Sequence, residues 1–295
     1  MRLTAKVVVP VTALVLAAGA GTAYHLSGGP KTGTGSASGT QQVAVPGRVA
    51  QAYVGSSNDP ATWRLPVEAY IPTAEQARLV TTTRDQLIDT CMSTAGYDDW
   101  EPAPELPELG GKTLTDWRYG IHDARLTAER GYHPAEAEQK AYDEAMEAGA
   151  VDESGADDAT LRGCVAKADG KVPDPQPPAV VQEISGAAFE KSQKTPEVTA
   201  VFAKWSSCMK DKGYDSYKQP LDASDDPRFA NPDKVTAQEI ATARADISCR
   251  DRYGVARTWF DAESKIQRAE IAKHMDEFDD VAAATREAIT KAKAA

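Results

Sequence analysis

Apolar residues recur at steps of three and four along two stretches of the chain, each of which carries one cysteine. This period predicts two helices with one apolar face each, over residues 73–96 and 195–213. The first begins at a Thr73–Gln76 capping box and the second at Thr195 followed by Pro196, and each stops at a glycine. The apolar faces are Leu79, Val80, Leu87, Ile88 and Met92 in the first helix and Val198, Val201, Phe202, Trp205 and Met209 in the second.

The ends of these two helices have similar sequences. Cys91-Met-x-x-x-Gly-Tyr-Asp and Cys208-Met-x-x-x-Gly-Tyr-Asp agree at five of eight positions, and Arg118-Tyr-Gly-Ile is echoed by Arg252-Tyr-Gly-Val. Such self-similarity indicates a diverged internal duplication. We therefore predict an all-α fold, with two diverged cysteine-bearing helical modules packed together, each with one disulfide, and a long C-terminal helix.

The C-terminal stretch, residues 255–295, contains neither proline nor glycine. Its apolar positions step by three and four, and a continuous helix of this length would extend about 60 Å. That exceeds what a small globular body covers, so we expect its end to project and its apolar face to bind a partner; a frayed, alanine-rich tail is the alternative. The candidate partner face consists of Trp259, Ile266, Met275, Phe278, Ala282 and Ile289.

The beginning of the chain resembles an export signal. Arg2 and Lys6 precede an apolar run over residues 7–20, with small residues at two candidate cleavage positions. Extended to Leu26, the run would just span a bilayer. A cleaved signal peptide and a retained anchor both remain open, and both place the body outside the cytoplasm, secreted or tethered by residues 7–26.

Composition divides the chain into five segments. The proline-rich stretch 171–178 is the best internal boundary. The predicted segments are a signal peptide or membrane anchor at 1–26, a Gly/Ser-rich linker and extended segment at 27–64, helical module 1 at 65–172, helical module 2 at 173–254, and the C-terminal helix at 255–295.

Four cysteines follow the export-type leader: Cys91, Cys164, Cys208 and Cys249. None has a close neighbour in sequence, which argues against the common zinc sites and favours disulfides in an oxidising compartment. Three pairings are possible. The duplication favours Cys91 with Cys164 and Cys208 with Cys249, because each half then has one helix-end cysteine and one later partner. Four free thiols are the alternative.

Several of these motifs resemble those of a group of uncharacterised exported proteins of actinobacteria. The resemblance rests on Leu65-Pro-Val-Glu-Ala-Tyr, the two Cys-Met-x-x-x-Gly-Tyr motifs, Glu239-Ile-Ala-Thr-Ala-x-Ala-Asp-x-x-Cys249 and Trp259-Phe-Asp-Ala-Glu263. It covers roughly residues 65–290. It implies an exported helical architecture and, because some members lie near genes for envelope transporters and peptidoglycan-binding proteins, an envelope partner. Many members carry a lipoprotein-type cysteine near the N-terminus, which this chain lacks.

The charge balance narrows the choice of partners. With 33 basic and 44 acidic residues, the net charge is −11. No basic stripe is present, so we expect no nucleic-acid partner. An acidic surface also disfavours anionic lipid, so we expect membrane contact only through the N-terminal segment.

Recognisable catalytic chemistry is absent from the sequence. The histidines, His25, His122, His133 and His274, have no ligand spacing, and no nucleophile elbow or phosphate loop occurs. We therefore predict no catalytic, cofactor-binding or metal-binding residues. Glu239, Asp246 and Glu263 form a candidate polar site, with Arg250 or Arg252 as partner, for which a structural ion pair is favoured over a catalytic dyad.

Two hypotheses for function follow. The first is an exported, non-enzymatic cell-envelope protein that acts as a partner-binding or accessory module through its helical surface. The alternative is an extracytoplasmic small-ligand or cell-wall binder, or a hydrolase, with a cleft between the two modules. Convergent carboxylates with Trp100 or Trp117 would mark that cleft.

Overall fold

The computed structural model describes residues 43–149, 154–174 and 178–295, and this part of the chain is mostly helical, as predicted. The only sheet in this part of the chain is an antiparallel pair of two-residue strands, β1 (Tyr53–Val54) and β2 (Trp63–Arg64). The helices are α1 Ala74–Thr94, α2 Ala124–Arg130, α3 Glu136–Ala148, α4 Asp158–Lys171, α5 Ala179–Ser192, α6 Pro196–Asp211, α7 Leu221–Ser224, α8 Ala237–Tyr253, α9 Val255–Lys273 and α10 Met275–Ala294, with 3₁₀ turns at Pro60–Thr62, Pro66–Ala69 and Pro227–Phe229.

The predicted start of α1 is confirmed, and that of α6 differs in one detail. The backbone N–H of Gln76 donates to Thr73 Oγ1, and the Gln76 side chain accepts from Thr73 N, which completes the capping box. Pro196 occupies the first turn of α6, but the side chain of Thr195, the N-cap residue, makes no capping hydrogen bond to this helix. Its hydroxyl donates instead to the carbonyl of Ser192, which ends the preceding helix.

The repeated sequence at the two cysteine helices produces the same backbone ending. Gly96 and Gly213 both have φ of +91°. The N–H of Tyr97 donates to Met92 O, and that of Tyr214 donates to Met209 O. These bonds close the helices in the same way, and glycine allows the left-handed backbone that they need.

Both predicted disulfides are confirmed. Cys91 pairs with Cys164, which joins α1 to α4, and Cys208 pairs with Cys249, which joins α6 to α8. The alternative of four free thiols is wrong, since every cysteine is bridged.

The main hydrophobic core, defined as the cluster around the Cys208–Cys249 bridge, draws on both predicted modules. It contains Leu65, Tyr70 and Tyr119 from before residue 172, together with Trp205 and Trp259 from after it. α5 and α6 pack on α9, and α2 packs on α8. The α1–α4 pair has its own small cluster, which contains Ile88, Met92, Trp100, Cys164 and Ala168. The core therefore does not divide at the predicted boundary.

The extended segment before α1, described from residue 43, wraps around the body. Ala44 is buried and its N–H donates to Ala69 O, while Trp63 is buried in the main core. The predicted leader at 1–26 and the start of the predicted linker lie outside the described residues. Among the described helices, none combines the length and apolar character that crossing a membrane requires.

The C-terminal stretch is helical as predicted, but it is divided into α9 and α10 at His274 and packs onto the body. Trp259, Phe278 and Ala282 are buried in the main core, and Ile289 is buried against α1 with Val80. Ile266 and Met275 are partly buried. The prediction of a free apolar partner face is therefore wrong: other elements of the same chain already cover it, so α10 neither projects nor frays.

Candidate functional site

The predicted polar residues lie inside the protein, on two neighbouring helices. α8 places Glu239, Asp246 and Arg250 seven and four residues apart, hence on one face, and α9 contributes Glu263. The side chains of all three acids are fully buried. Of the two predicted arginine partners, Arg250 pairs with Asp246, whereas Arg252 lies over the ring of Tyr253.

Asp246 receives hydrogen bonds from three side chains, one of them on its own helix. Arg250 donates to both carboxylate oxygens, at 2.7 Å from Nε to Oδ1. Trp205 Nε1 donates to Oδ1 at 2.8 Å and the Tyr132 hydroxyl to Oδ2 at 3.2 Å. Burial next to this carboxylate raises the pKa of Tyr132, so the phenol stays a donor. A buried charge needs such complete pairing to be tolerated.

Glu263 forms a second buried ion pair. Arg118 donates from Nη2 at 2.7 Å and from Nε at 3.0 Å, the Tyr119 hydroxyl donates at 2.8 Å, and Gln267 Nε2 donates at 2.9 Å. Arg118 also donates to Ser185 O and lies over the ring of Phe189. Burial, together with the charge of Glu263, holds the pKa of Tyr119 well above its ordinary value.

Tyr119 connects the two ion pairs. Its hydroxyl donates to Glu263, and its backbone carbonyl accepts a hydrogen bond from Arg250 Nη1 at 2.8 Å. Gly120 has φ of +102°, and a Cβ there would overlap the Arg250 guanidinium. We call this set the buried ion network: Arg118, Tyr119, Asp246, Arg250 and Glu263. It links the segment before α2 to α8 and α9.

Glu239 lies beside the network and is joined to it through Tyr132. Its Oε1 accepts from Tyr132 N at 3.0 Å and lies 3.4 Å from His133 Nε2, while within the described residues Oε2 has no hydrogen-bond partner. Gly131 makes this approach possible, because a Cβ at its φ of +61° would lie 2.3 Å from Glu239 Oε1. The three predicted acids therefore do not converge on one point.

A carboxyl with a shifted pKa adjoins the network at the 3₁₀ turn before α1. The N–H of Leu65 donates to Glu68 Oε2 at 2.6 Å. Burial raises the pKa of Glu68 to about 7, although the Leu65 bond and the nearby arginines Arg64 and Arg118 oppose the shift.

The sequence reasoning missed most of the partners of these acids. Arg118 and Tyr119 belong to the Arg-Tyr-Gly echo, which could have pointed to them, but Trp205 and Tyr132 had only core-type signals. His122 has no ligand spacing in the sequence, yet its Nε2 lies 2.5 Å from Asp116 Oδ1. Asp116 is buried and also accepts from Lys112 N, whereas the His122 side chain is 24% exposed.

Comparison with known proteins does not identify this site. The chain matches no family model, no curated protein and no solved structure. Across the described ranges, His, Cys, Asp and Glu side chains form no group of three or more that could hold a metal ion.

Proposed function

We propose that this protein is an exported, non-enzymatic cell-envelope protein that binds an envelope partner, a transport or cell-wall component, through its helical surface. The observation that carries the proposal is the buried ion network. Asp246 and Glu263, the acids best placed for chemistry, are neutralised by arginines inside the core and hold helices together. Two oxidised bridges suit an oxidising compartment outside the cytoplasm, secreted or tethered by residues 7–26.

The surface that we propose for the partner is α3. No residue of this helix is buried, and Met146 is 48% exposed in the last turn, next to the partly buried Tyr142. Exposed acidic residues are close to this methionine along α3, among them Asp143, one turn before it, and Glu147, directly after it. Methionine adapts to varied apolar partners, and acidic neighbours favour a partner that is basic around an apolar contact.

A photo-crosslinking amino acid at position 146 of the full chain, in cells, tests this surface. We expect one discrete envelope-protein adduct from position 146. The matched control is Ala284, an exposed position on α10, from which we expect none. An adduct from 284 alone would move the partner surface to the C-terminal helices, and no specific adduct from either position would contradict partner binding.

The alternative, a small-ligand or cell-wall binder or hydrolase, has one observation in its favour. The Asp116–His122 pair reaches the surface and has the geometry of a base held by a carboxylate. Of the aromatic residues expected in a cleft, Trp100 is in the small cluster, and the ring of Trp117, which follows Asp116, lies against Gly110. Release of soluble fragments from purified cell wall, abolished by His122→Asn, would support the alternative over the leading proposal.

A further inference from the structure

The two disulfides differ in how accessible their sulfurs are. Cys208 and Cys249 are 5% and 0% exposed and lie in the main core. In the other bridge Cys164 is 2% exposed, but Cys91 is partly exposed at the edge of the α1–α4 cluster. Because thiol–disulfide exchange requires a thiolate to reach a sulfur, only the Cys91 end of the α1–α4 bridge offers a point of attack from solvent.

A cation lies at that end of the bridge. Lys167 stands one turn after Cys164 on α4, and its Nζ is 3.6 Å from Cys91 Sγ. An ammonium group beside a sulfur stabilises thiolate and raises the local concentration of an anionic nucleophile. We propose that Cys91–Cys164 is a thiol–disulfide exchange site for a dithiol reductant, with attack at Cys91 and Lys167 as the positioning charge.

The α1–α4 pair has contacts that survive loss of the bridge. Arg84 on α1 is buried, donates to Val172 O at 2.6 Å just after α4, and pairs with Asp169 at 2.7 Å. These bonds hold the end of α4 on α1 independently of sulfur. The two thiols therefore stay near each other after reduction, which makes the exchange reversible.

The exchange consists of two displacements. One thiolate of the dithiol attacks Cys91 Sγ, forms a mixed disulfide, and expels the Cys164 sulfur, which takes a proton. The second thiolate of the reductant then attacks the reductant's other sulfur, which is bonded to Cys91 in the mixed disulfide, and releases Cys91 as a thiolate beside Lys167. Two electrons pass from the dithiol to the bridge: the reductant leaves as a disulfide and the protein holds two reduced cysteines.

The test uses the folded full chain with limiting dithiothreitol, followed by acid quench, alkylation and peptide mass spectrometry. We expect Cys91 and Cys164 to be alkylated at least about tenfold faster than Cys208 and Cys249. Lys167→Ala should slow reduction of this bridge by about fivefold, and Lys167→Arg should restore most of the rate. Lys171→Ala, which removes an exposed charge from the end of the same helix, is the matched control and should leave the rate unchanged.

A second reductant separates charge from packing. A neutral phosphine carries no charge for Lys167 to attract. Lys167→Ala should therefore slow the reduction of Cys91–Cys164 by dithiothreitol and leave its reduction by the phosphine unchanged. Equal reduction of both bridges, or earlier reduction of Cys208–Cys249, would overturn the exchange site. A Lys167→Ala effect that is the same for both reductants would overturn the role of the lysine. The partner proposal for α3 does not depend on either result.

Discussion

The helix pairs α1–α4 and α6–α8 share a sequence motif, a helix ending and one disulfide each, and they differ in what surrounds them. α6 and α8 lie in the main core under α9, next to the buried ion network. α1 and α4 meet over a small cluster at one side, and α10 covers another face of α1. The repeat therefore specifies the local backbone, while the surroundings decide how strongly each pair is held and how far its sulfurs are shielded.

The same difference holds for the charges. Arg250 in the main core pairs with a fully buried Asp246, whereas Arg84 in the α1–α4 pair has as partner Asp169, which is 48% exposed. Removing one member of a buried pair leaves an uncompensated charge in the interior. Removing Arg84 leaves an aspartate that water can still solvate, so the comparison can be tested by matched substitutions.

The largest effect is expected for Arg250→Met, which should lower the free energy of unfolding by about 4 kcal/mol. Arg84→Met should cost about 1 kcal/mol, mainly through the lost hydrogen bond to Val172 O. Arg257→Met, which breaks an exposed pair with Asp261, is the control and should change stability by less than about 0.5 kcal/mol. Urea unfolding at neutral pH measures all three, and equal costs for Arg250→Met and Arg84→Met would erase the distinction between the two regions.

How much of this could be predicted follows from the range of each interaction. The capping box, the glycine endings and the apolar faces involve residues within one or two turns, so their sequence pattern is sufficient. The disulfide pairing was predicted because the repeat supplied a long-range constraint. The Arg118–Glu263 pair joins residues 145 apart, and no local pattern marks Glu263 as the partner of Arg118.

The error over the C-terminal helices has the same origin. Periodicity indicates an apolar face along α9 and another along α10, but it cannot distinguish a face that other elements cover, as α5 and α6 cover Trp259, from one left open for a partner. Which segment covers a face is a tertiary property. Glu68, in that turn, was likewise inconspicuous in sequence, and only its environment shifts its pKa.

An intermediate effect should appear in the pH dependence of stability. Burial raises the pKa of Glu68 from 4.5 to about 7 at the main core, and that of Asp85 on α1 from 3.8 to about 6. In the window between each pair of values the folded state holds a proton that the unfolded state has lost, so stability falls as pH rises through it. Replacing the acid by its amide removes that loss.

Glu68→Gln should therefore gain about 2 kcal/mol relative to the parent between pH 4 and pH 8, and Asp85→Asn about 1 kcal/mol, because water screens Asp85 more. Urea unfolding at pH 4, 6 and 8 measures both. Glu101→Gln, at an exposed position in the loop after α1, is the control substitution. A stability difference for Glu68→Gln that does not change with pH would contradict a raised pKa for the Glu68 carboxyl beside the network.

The smallest effect concerns the feature that the two helices share. At both Gly96 and Gly213 an added Cβ would meet no atom within 4 Å, so Gly→Ala should cost only the left-handed backbone, about 1 kcal/mol at each site. Gly163→Ala, in α4, also meets open space but has no left-handed backbone, and it should stabilise by about 0.5 kcal/mol. Thermal unfolding of the three variants measures these changes. If Gly96→Ala and Gly213→Ala differed by more than about 0.5 kcal/mol, the surroundings would reach even the helix endings, and the repeated motif would no longer act as an independent local unit.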